Sequence, residues 1–226
     1  KEFLRGIGAE ITNTNLDPEF VEIFLGEKIA PGFFAWIIPT NDKGTQARIG
    51  LCISQNITES PKFYLQNFLE NKNSSKLLQD IKIEKYIGGV IPLGLLKKTY
   101  ASNVLVVGDA AAQVKPASGG GIYTGLLSAS HCASVALEAL QKNNFSSQFL
   151  KKYHKLFYTD IGRELFLGMK FRKIFKNLSD NQMDKYIKKF QNPKITEIIT
   201  KYGDIDYPSK LVKPLLKKIP TLIGLI

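Results

Sequence analysis

The sequence predicts an α/β protein, organised within this chain as α+β, with strands gathered in the first part and helices in the last. Three observations predict this class. Residues 1–55 alternate apolar and polar side chains between turn signals, residues 104–125 read as a strand, a turn and a helix start, and helical spacing continues beyond them. We therefore expect an antiparallel sheet, then a strand–turn–helix unit, then a helical C-terminal region.

The first part has the residue pattern of an antiparallel meander. Apolar and polar residues alternate in three runs, which clusters of Asn, Asp, Pro and Gly separate. The predicted strands cover residues 20–25, 33–38 and 48–53. A helix follows at 61–71, with Ser60 as its N-cap and Pro61 at its first position. Strand character returns at 81–87 and 89–93.

The last part has the spacing of amphipathic helices. Residues 121–140 are rich in Ala, Leu and Ser and predict a helix that packs closely on its neighbours. Residues 145–175 carry aromatic and aliphatic side chains three and four positions apart, which is typical of a buried helix face. The predicted face consists of Phe149, Tyr153, Leu156, Phe157, Ile161, Leu165 and Met169. Shorter helices follow, and the apolar stripe of residues 211–226 predicts either a docked helix or one that rests on a bilayer.

The stretch VLVVGDAAAQVKPASGGGIYTG, residues 104–125, is the most informative part of the chain. A β-rich run ends at Gly108, and a glycine triplet opens the small-residue helix. Glycines let a ligand approach bare backbone, and the free N–H groups of a helix start favour an electron-rich oxygen. Asp109, after the strand, can accept hydrogen bonds from sugar-type hydroxyls. A strand-to-helix turn without any cofactor is the alternative.

These residues resemble a known flavin motif. Gly108-Asp109-Ala110-Ala111, followed by Pro116-x-x-Gly119-Gly120-Gly121-Ile122, is similar to the second flavin motif of FAD-dependent reductases and hydroxylases with the p-hydroxybenzoate hydroxylase fold. The resemblance implies that Asp109 binds the ribityl chain of FAD and that the glycines face the pyrimidine end of its ring. The implied cofactor-binding residues are Gly108, Asp109, Pro116, Gly119, Gly120, Gly121 and Ile122.

Three further stretches follow one another along the chain: PGFFAWIIP at 31–39, ARIGL at 47–51 and GGVIP at 88–92. In this order they resemble the motifs of the geranylgeranyl reductases, which saturate isoprenoid double bonds. Phe34 stands for the usual Tyr, Ile38 for the usual Phe, and Ala112 for a common Gly. Alternation along the strand places Phe34 and Trp36 on one face. The implied substrate-binding residues are Phe34, Trp36, Pro39 and Gly89; packing in the protein core is the alternative for Trp36.

The resemblance implies a division of the chain into parts. We expect an antiparallel, β-rich substrate-binding region at 1–100, the last strand and helix of a doubly wound FAD-binding domain at 101–140, and a helical region at 141–226. No GxGxxG follows a strand, and the chain starts at Lys1. We therefore expect the GxGxxG half of the FAD-binding domain to lie upstream, so that this chain is the C-terminal part of a longer reductase.

The amino-acid composition limits the classes of binding partner that we expect for this chain. The 226 residues carry a formal charge of +11, supplied mainly by scattered lysine pairs without the Arg and aromatic interleaving of a nucleic-acid reader. These lysines predict solvated helix faces or contact with anionic lipid headgroups. We expect a cytoplasmic protein, with peripheral association at the inner face of the membrane as an alternative. Cys52 and Cys132 lack metal-ligand spacing and fit a reducing compartment; a disulfide between them stays open.

The expected activity is FAD-dependent reduction of geranylgeranyl chains on lipids or diphosphates. The electron donor can be NAD(P)H, a ferredoxin or a deazaflavin. Tyr123, just after the glycine triplet, is the nearest candidate for a proton donor. No metal site is expected, since His131 and His154 lack partners in the sequence. The alternatives are a flavin mono-oxygenase or halogenase of the same fold, and a non-enzymatic lipid-binding module.

Overall fold

A computed structural model describes residues 2–72 and 74–218. The chain divides into two compact units. The first comprises Glu2–Ile91 and Lys176–Gln182, and the second comprises Pro92–Phe175 and the residues from Met183 onward. The functional regions expected at 1–100, 101–140 and 141–226 stay a prediction.

The first unit is built on a five-stranded sheet with the order β2-β3-β4-β1-β5. Its elements are β1 Glu2–Thr12, β2 Glu22–Phe24, β3 Ala35–Pro39, β4 Gln46–Ser54, helix α1 Pro61–Glu70 and β5 Lys82–Leu93. Strand β4 pairs antiparallel with β1 and with β3, and β2 pairs antiparallel with β3. The predicted meander of antiparallel strands is confirmed.

One face of this sheet forms the core of the first unit. Every second residue of β4, from Ala47 to Ile53, is buried there, and the alternate residues point to the other face. Helix α1 covers the core face with Leu65 and Phe68. Ser60 accepts the Phe63 N–H at 3.2 Å and so caps the helix, as the sequence predicted.

The second unit is mainly helical. Its elements are β6 Tyr100–Ala101, β7 Val104–Leu105, a 3₁₀ helix Gly108–Ala111, α2 Ile122–Gln141, α3 Ser147–Phe157, a π-helical turn Tyr158–Gly162, α4 Arg163–Phe175, α6 Pro193–Tyr202 and α7 Ser209–Lys218. Helix α5, Asp180–Phe190, begins in the first unit and ends in the second. The predicted helical character of this region is confirmed.

Helices α2 and α3 pack around a shared core. Tyr153, Phe157, Ile161 and Leu165 are each at most 2% exposed, as the spacing predicted, and they pack with Val135 and Ala139 of α2. Leu156 differs from the prediction because it is 36% exposed. A side chain three residues after Tyr153 lies at the border of the buried stripe, where one end of the side chain meets water.

Three predicted element boundaries were wrong. The strands expected at 81–87 and 89–93 form one continuous strand, because the backbone of Gly88 and Gly89 is extended there. The strand expected at 104–107 pairs only over Val104–Leu105, in a two-stranded antiparallel sheet with β6. The helix expected at 145–175 is divided by the π-helical turn. Hydrophobic spacing does not register such a local change of winding.

The apolar stripe predicted for residues 211–226 extends beyond the described residues, which end within it. Up to that end, α7 contains Pro214 in its interior. Among residues 2–72 and 74–218, helices long and apolar enough to cross a membrane are absent.

Candidate functional site

The strand–turn–helix motif folds as a compact loop in the second unit. After β7, Val107 is extended and Gly108 opens the 3₁₀ helix with a φ of 71°. Side chains other than glycine rarely adopt that conformation. Ala112 closes the 3₁₀ helix, also in the left-handed region, with a φ of 52°. This backbone explains why a glycine is common at that position in the motif that the sequence resembles.

A buried amide holds this loop in place. Gln113 is fully buried, and its Oε1 accepts the Gly108 N–H at 2.7 Å. Its Nε2 donates to the Tyr153 hydroxyl at 2.8 Å, and that hydroxyl donates to the Val106 carbonyl at 3.0 Å. Burial raises the pKa of Tyr153 to about 12, so its hydroxyl stays protonated at neutral pH. The hydrogen-bond chain ties the motif to α3.

The glycine triplet follows a tight turn that Lys115 closes. The Lys115 N–H donates to the Gly120 carbonyl at 3.0 Å, and the Lys115 carbonyl accepts the Gly119 N–H at 2.9 Å. Gly119 has a φ of 71°, which favours glycine. Pro116 is buried, and a Cβ at Gly168 of α4 would lie 3.0 Å from its Cδ. The turn therefore rests on α4 at a position where a larger residue would collide.

The start of α2 lies beside an exposed carboxylate. Gly121 is the N-cap of α2, without a side-chain cap from the described residues. A Cβ at Gly121 would lie 2.9 Å from Asp109 Oδ1, so the predicted carboxylate and helix start are adjacent. Asp109 is exposed and has no hydrogen-bond or ion-pair partner for its carboxylate among the described residues. Ile122 is 83% exposed. An acceptor and a set of N–H donors thus lie side by side.

Tyr123, the predicted proton donor, belongs to a pair of tyrosines. Its hydroxyl lies 3.1 Å from the Tyr207 hydroxyl, and the two rings meet edge to face with centroids 6.3 Å apart. The hydrogen bond to Tyr123 raises the pKa of Tyr207 to about 12, and burial, Asp160 and Asp204 act in the same direction. Tyr207 therefore keeps its proton across the neutral range.

The predicted substrate residues Phe34 and Trp36 lie together in the first unit. They are half-buried on the sheet face opposite the core, with ring centroids 6.0 Å apart, while Ala35 and Ile37 point into the core. Phe33 is also buried, and its ring stacks on that of Phe34 with centroids 4.3 Å apart. The predicted alternation is confirmed for Trp36 and Ile37, which lie on opposite faces of the sheet. The indole of Trp36 covers Gly50, since a Cβ there would lie 2.5 Å from Trp36 Cζ2. Only glycine leaves room for the ring.

Further glycines lie on the other strands of this sheet. A Cβ at Gly6 would lie 2.9 Å from Cys52 Sγ, whereas one at Gly89 would meet nothing within 4 Å among the described residues. Gly89 is exposed on β5, and Pro39 ends β3 opposite Ala47. The aromatic pair therefore stands beside bare backbone, which can receive an apolar chain.

Sequence reasoning missed several residues that shape the second unit. Gln113 carried no signal, because an isolated glutamine is most often a surface residue. Tyr153 was predicted only as part of an apolar face, and its hydroxyl was not. Lys115 contacts Asp206, which lies 91 positions further along the chain. Tyr123 contacts Tyr207, which lies 84 positions further along. Only a folded chain shows such pairs.

The two cysteines are at least partly buried, and each histidine has a hydrogen-bonding neighbour. Cys52 and Cys132 are not joined by a disulfide, and burial raises the pKa of the Cys132 thiol. His131 Nε2 lies 2.9 Å from Asp160 Oδ2, and His154 Nδ1 lies 3.1 Å from the Thr99 hydroxyl. Groups of three or more side chains that could hold a metal ion are absent from the part of the chain described.

Several known proteins are similar in sequence to this chain. Residues 5–90 match the geranylgeranyl reductase catalytic domain. The chain is 34% identical to an uncharacterized protein of Methanocaldococcus jannaschii over 99% of its length, covering 56% of that protein. It is 33% identical to the digeranylgeranylglycerophospholipid reductase of the same organism over 95% of its length, covering 52% of that enzyme. The chain thus spans about half the length of these relatives.

Solved structures show the same fold. A geranylgeranyl bacteriochlorophyll reductase-like protein from Thermoplasma acidophilum superposes with a TM-score of 0.79 at 24% identity, over 100% of this chain and 55% of that one. A flavin-dependent brominase superposes with a TM-score of 0.64 at 11% identity, over 97% of this chain and 56% of that one. At these identities the likeness concerns the fold alone, and it confirms the predicted fold class.

Replacing Tyr153 by Phe should destabilise the protein by about 1–3 kcal/mol, because the Gln113 amide and the Val106 carbonyl lose a buried partner. Urea unfolding of the purified protein measures this loss. Tyr86→Phe, at a tyrosine that is 52% exposed, is the matched control and should unfold as the wild type does. Equal midpoints for the two variants would contradict the role given to the buried hydroxyl.

Proposed function

Because the chain belongs to the geranylgeranyl reductase family, we propose that it is the C-terminal part of an FAD-dependent reductase that saturates isoprenoid double bonds. The substrates are geranylgeranyl chains on glycerophospholipids or on diphosphates. One observation carries the proposal: the Phe34–Trp36 pair stands beside bare glycine backbone on a sheet within the matched residues 5–90. Aromatic rings beside an open apolar surface suit a long prenyl chain.

The residues of the glycine motif fit a flavin. Asp109 offers a carboxylate without a protein partner among the described residues, which suits the hydroxyls of a ribityl chain. The uncapped start of α2 offers N–H donors to the carbonyl oxygens of the flavin ring. Gly108 and Gly121 keep side chains away from both. A bound, reduced flavin would supply the hydride for alkene reduction.

We place the GxGxxG half of the FAD-binding domain outside this chain, in the remainder of a protein about twice as long. The relatives' lengths support this placement. So does the outward face of α2, an apolar stripe without charged residues that consists of Ile122, Leu126, Ser130, Ala133, Leu137 and Leu140. The four large side chains of this stripe are between 58% and 83% exposed, which is typical of a surface that another domain covers.

Tyr123 is our candidate for the proton that alkene reduction consumes. It stands two positions after Gly121, on the first turn of α2. Tyr207 keeps its own proton and can donate a hydrogen bond to the Tyr123 oxygen, which stabilises a phenolate after Tyr123 has given its proton away. The electron donor, whether NAD(P)H, a ferredoxin or a deazaflavin, stays open.

Lysine-rich helices support contact with an anionic lipid surface. Lys185, Lys188 and Lys189 are exposed on α5 beside Ile187 and Phe190, which are 42% and 41% exposed. Each lysine near an anionic membrane contributes about 1 kcal/mol to binding. An enzyme whose substrate chains are anchored in lipid gains from such a location, so we propose peripheral association with the membrane.

Asp109→Ala in the full-length protein should weaken flavin binding about 30-fold, equivalent to about 2 kcal/mol, since ribityl hydroxyls lose a charged acceptor. Flavin absorbance after dialysis against defined FAD concentrations measures the affinity. Asp42→Ala, at an exposed carboxylate of the first unit, is the control. A wild-type flavin content in the Asp109 variant would remove this residue from the site.

Trp36→Ala should slow reduction of long prenyl substrates while flavin content and melting temperature stay near those of the wild type. The half-buried ring would contribute apolar contact to the substrate at about 25 cal/mol per Å². Melting temperature, flavin loading and prenyl reduction should be measured on the same preparation. Phe63→Ala, which removes a ring that is 46% exposed on α1, is the matched control.

The outcomes of this experiment separate the candidate functions. A Trp36→Ala protein that loses about 3–5 kcal/mol of stability would identify Trp36 as a core residue. A folded, flavin-loaded and fully active variant would exclude the substrate role. A wild-type protein that binds flavin and hydroxylates or halogenates its substrate, without reducing prenyl chains, would instead support a mono-oxygenase or halogenase of the same fold. A wild-type protein that binds no flavin would support the non-enzymatic lipid-binding module.

A further inference from the structure

The connection between α6 and α7, residues 203–208, contacts the glycine motif at two points. Asp206 binds Lys115 before the glycine triplet, and Tyr207 meets Tyr123 after it. Ser209, at the start of α7, additionally donates its hydroxyl to Glu164 of α4 at 2.6 Å. A segment distant in sequence thus touches both sides of the turn that opens α2.

This connection has a defined shape of its own. Asp204 Oδ1 accepts the N–H groups of Asp206 and Tyr207 at 2.9 and 3.0 Å, and its Oδ2 accepts from Lys210 at 2.7 Å. The Lys210 hydrogen bond is the main reason why the pKa of Asp204 is lowered, so this carboxylate stays charged at neutral pH. Asp206 is therefore presented to Lys115 by a loop that is already ordered.

Lys115 joins this connection to the glycine turn. Its N–H and its carbonyl bind Gly120 and Gly119, and its side chain then crosses Gly120. A Cβ at Gly120 would lie 3.1 Å from Lys115 Cε and 3.6 Å from Nζ, which is close enough that a larger residue would displace the lysine. The backbone and the side chain of Lys115 thus hold both ends of the turn.

The ion pair between Lys115 and Asp206 is more shielded from water than the lysine pairs with Glu138 and Asp204. The two groups are 2.7 Å apart, and their side chains are 16% and 22% exposed. The lysines that pair with Glu138 and Asp204 have side chains that are between 50% and 59% exposed. Exposed pairs contribute little because water and salt screen them, whereas a half-buried pair holds its geometry.

We propose that Lys115 and Asp206 are positioning residues of the cofactor site. The ion pair holds the turn of residues 115–120 in the shape that directs the N–H groups of Gly121 and the first turn of α2 toward an electron-rich oxygen of the flavin ring. This proposal rests on the proposed function, because it requires a flavin at the start of α2. It assigns to residues 203–208 a part in cofactor binding.

The test is a double-mutant cycle in the full-length protein. Lys115→Met, Asp206→Asn and the double variant are compared with the wild type and with Lys98→Met, which removes an exposed lysine of the same unit. Three quantities are measured: the FAD dissociation constant, hydrogen exchange of the amides of Gly119, Gly120 and Gly121, and the melting temperature. Hydrogen exchange reports the opening of the turn without any flavin present.

Each single variant should raise the FAD dissociation constant about tenfold and speed exchange at the Gly119 amide. The double variant should be no worse than either single variant, since both remove the same ion pair. Melting temperatures should change little, and Lys98→Met should match the wild type in every readout. Affinity losses that add in the double variant would overturn the proposal, and so would unchanged affinity and exchange.

The same experiment distinguishes the two levels of inference. If the wild type binds no FAD, the proposed function fails and the cofactor role of the pair fails with it. If the wild type binds FAD and the variants bind it equally well, the proposed function stands and only the positioning role is overturned. If affinity falls together with a large loss of melting temperature, the pair supports folding in general, which also overturns the specific role.

Discussion

The buried amide of Gln113 is the constraint on which the proposed cofactor site depends. It holds the Gly108 N–H on one side and the Tyr153 hydroxyl on the other, so a single side chain sets the distance between the motif and α3. The amide offers an acceptor and a donor on two separate atoms; a carboxylate would lose the donor, and an apolar side chain would leave both partners unpaired in the core. The loop that carries Asp109 is therefore held in one position relative to α3.

The composition of α2 follows from its two different faces. Inward residues are small: the Thr124 hydroxyl donates to the Gln113 carbonyl, the Ser128 hydroxyl donates to the Thr124 carbonyl at 2.6 Å, and Ala139 packs in the core. Such bonds satisfy the buried hydroxyls and let α3 approach closely. The outward face is large and apolar although it is exposed in this chain. A helix under selection only for solubility would carry charges there.

Much of the first unit could be predicted from the sequence, because a sheet with one buried face requires buried and exposed residues to alternate along its strands. Trp36 and Ile37 were assigned to opposite faces by alternation alone, and both assignments are confirmed. The motif in the second unit was found because its backbone needs glycines in fixed positions, as at Gly108 and Gly119. The ion pair of Lys115 with Asp206 could not be found, since a lysine followed by proline carries no pattern and its partner lies 91 residues away. The π-helical turn after α3 leaves the apolar spacing intact and was missed for that reason.

The charges around the start of α2 define what this part of the protein can bind. Asp109 leaves a negative charge next to Gly121, while the nearby ammonium of Lys115 is already held by Asp206 at 2.7 Å. A phosphate group placed there would meet the carboxylate and find the lysine engaged, so the arrangement disfavours an anion with several charges. A ligand with hydroxyl donors at one end and neutral, electron-rich oxygens at the other fits both the carboxylate and the N–H groups of the helix start. The ribityl chain and ring of a flavin have that distribution, and its diphosphate requires a cationic or N–H-rich site in the other half of the proposed reductase.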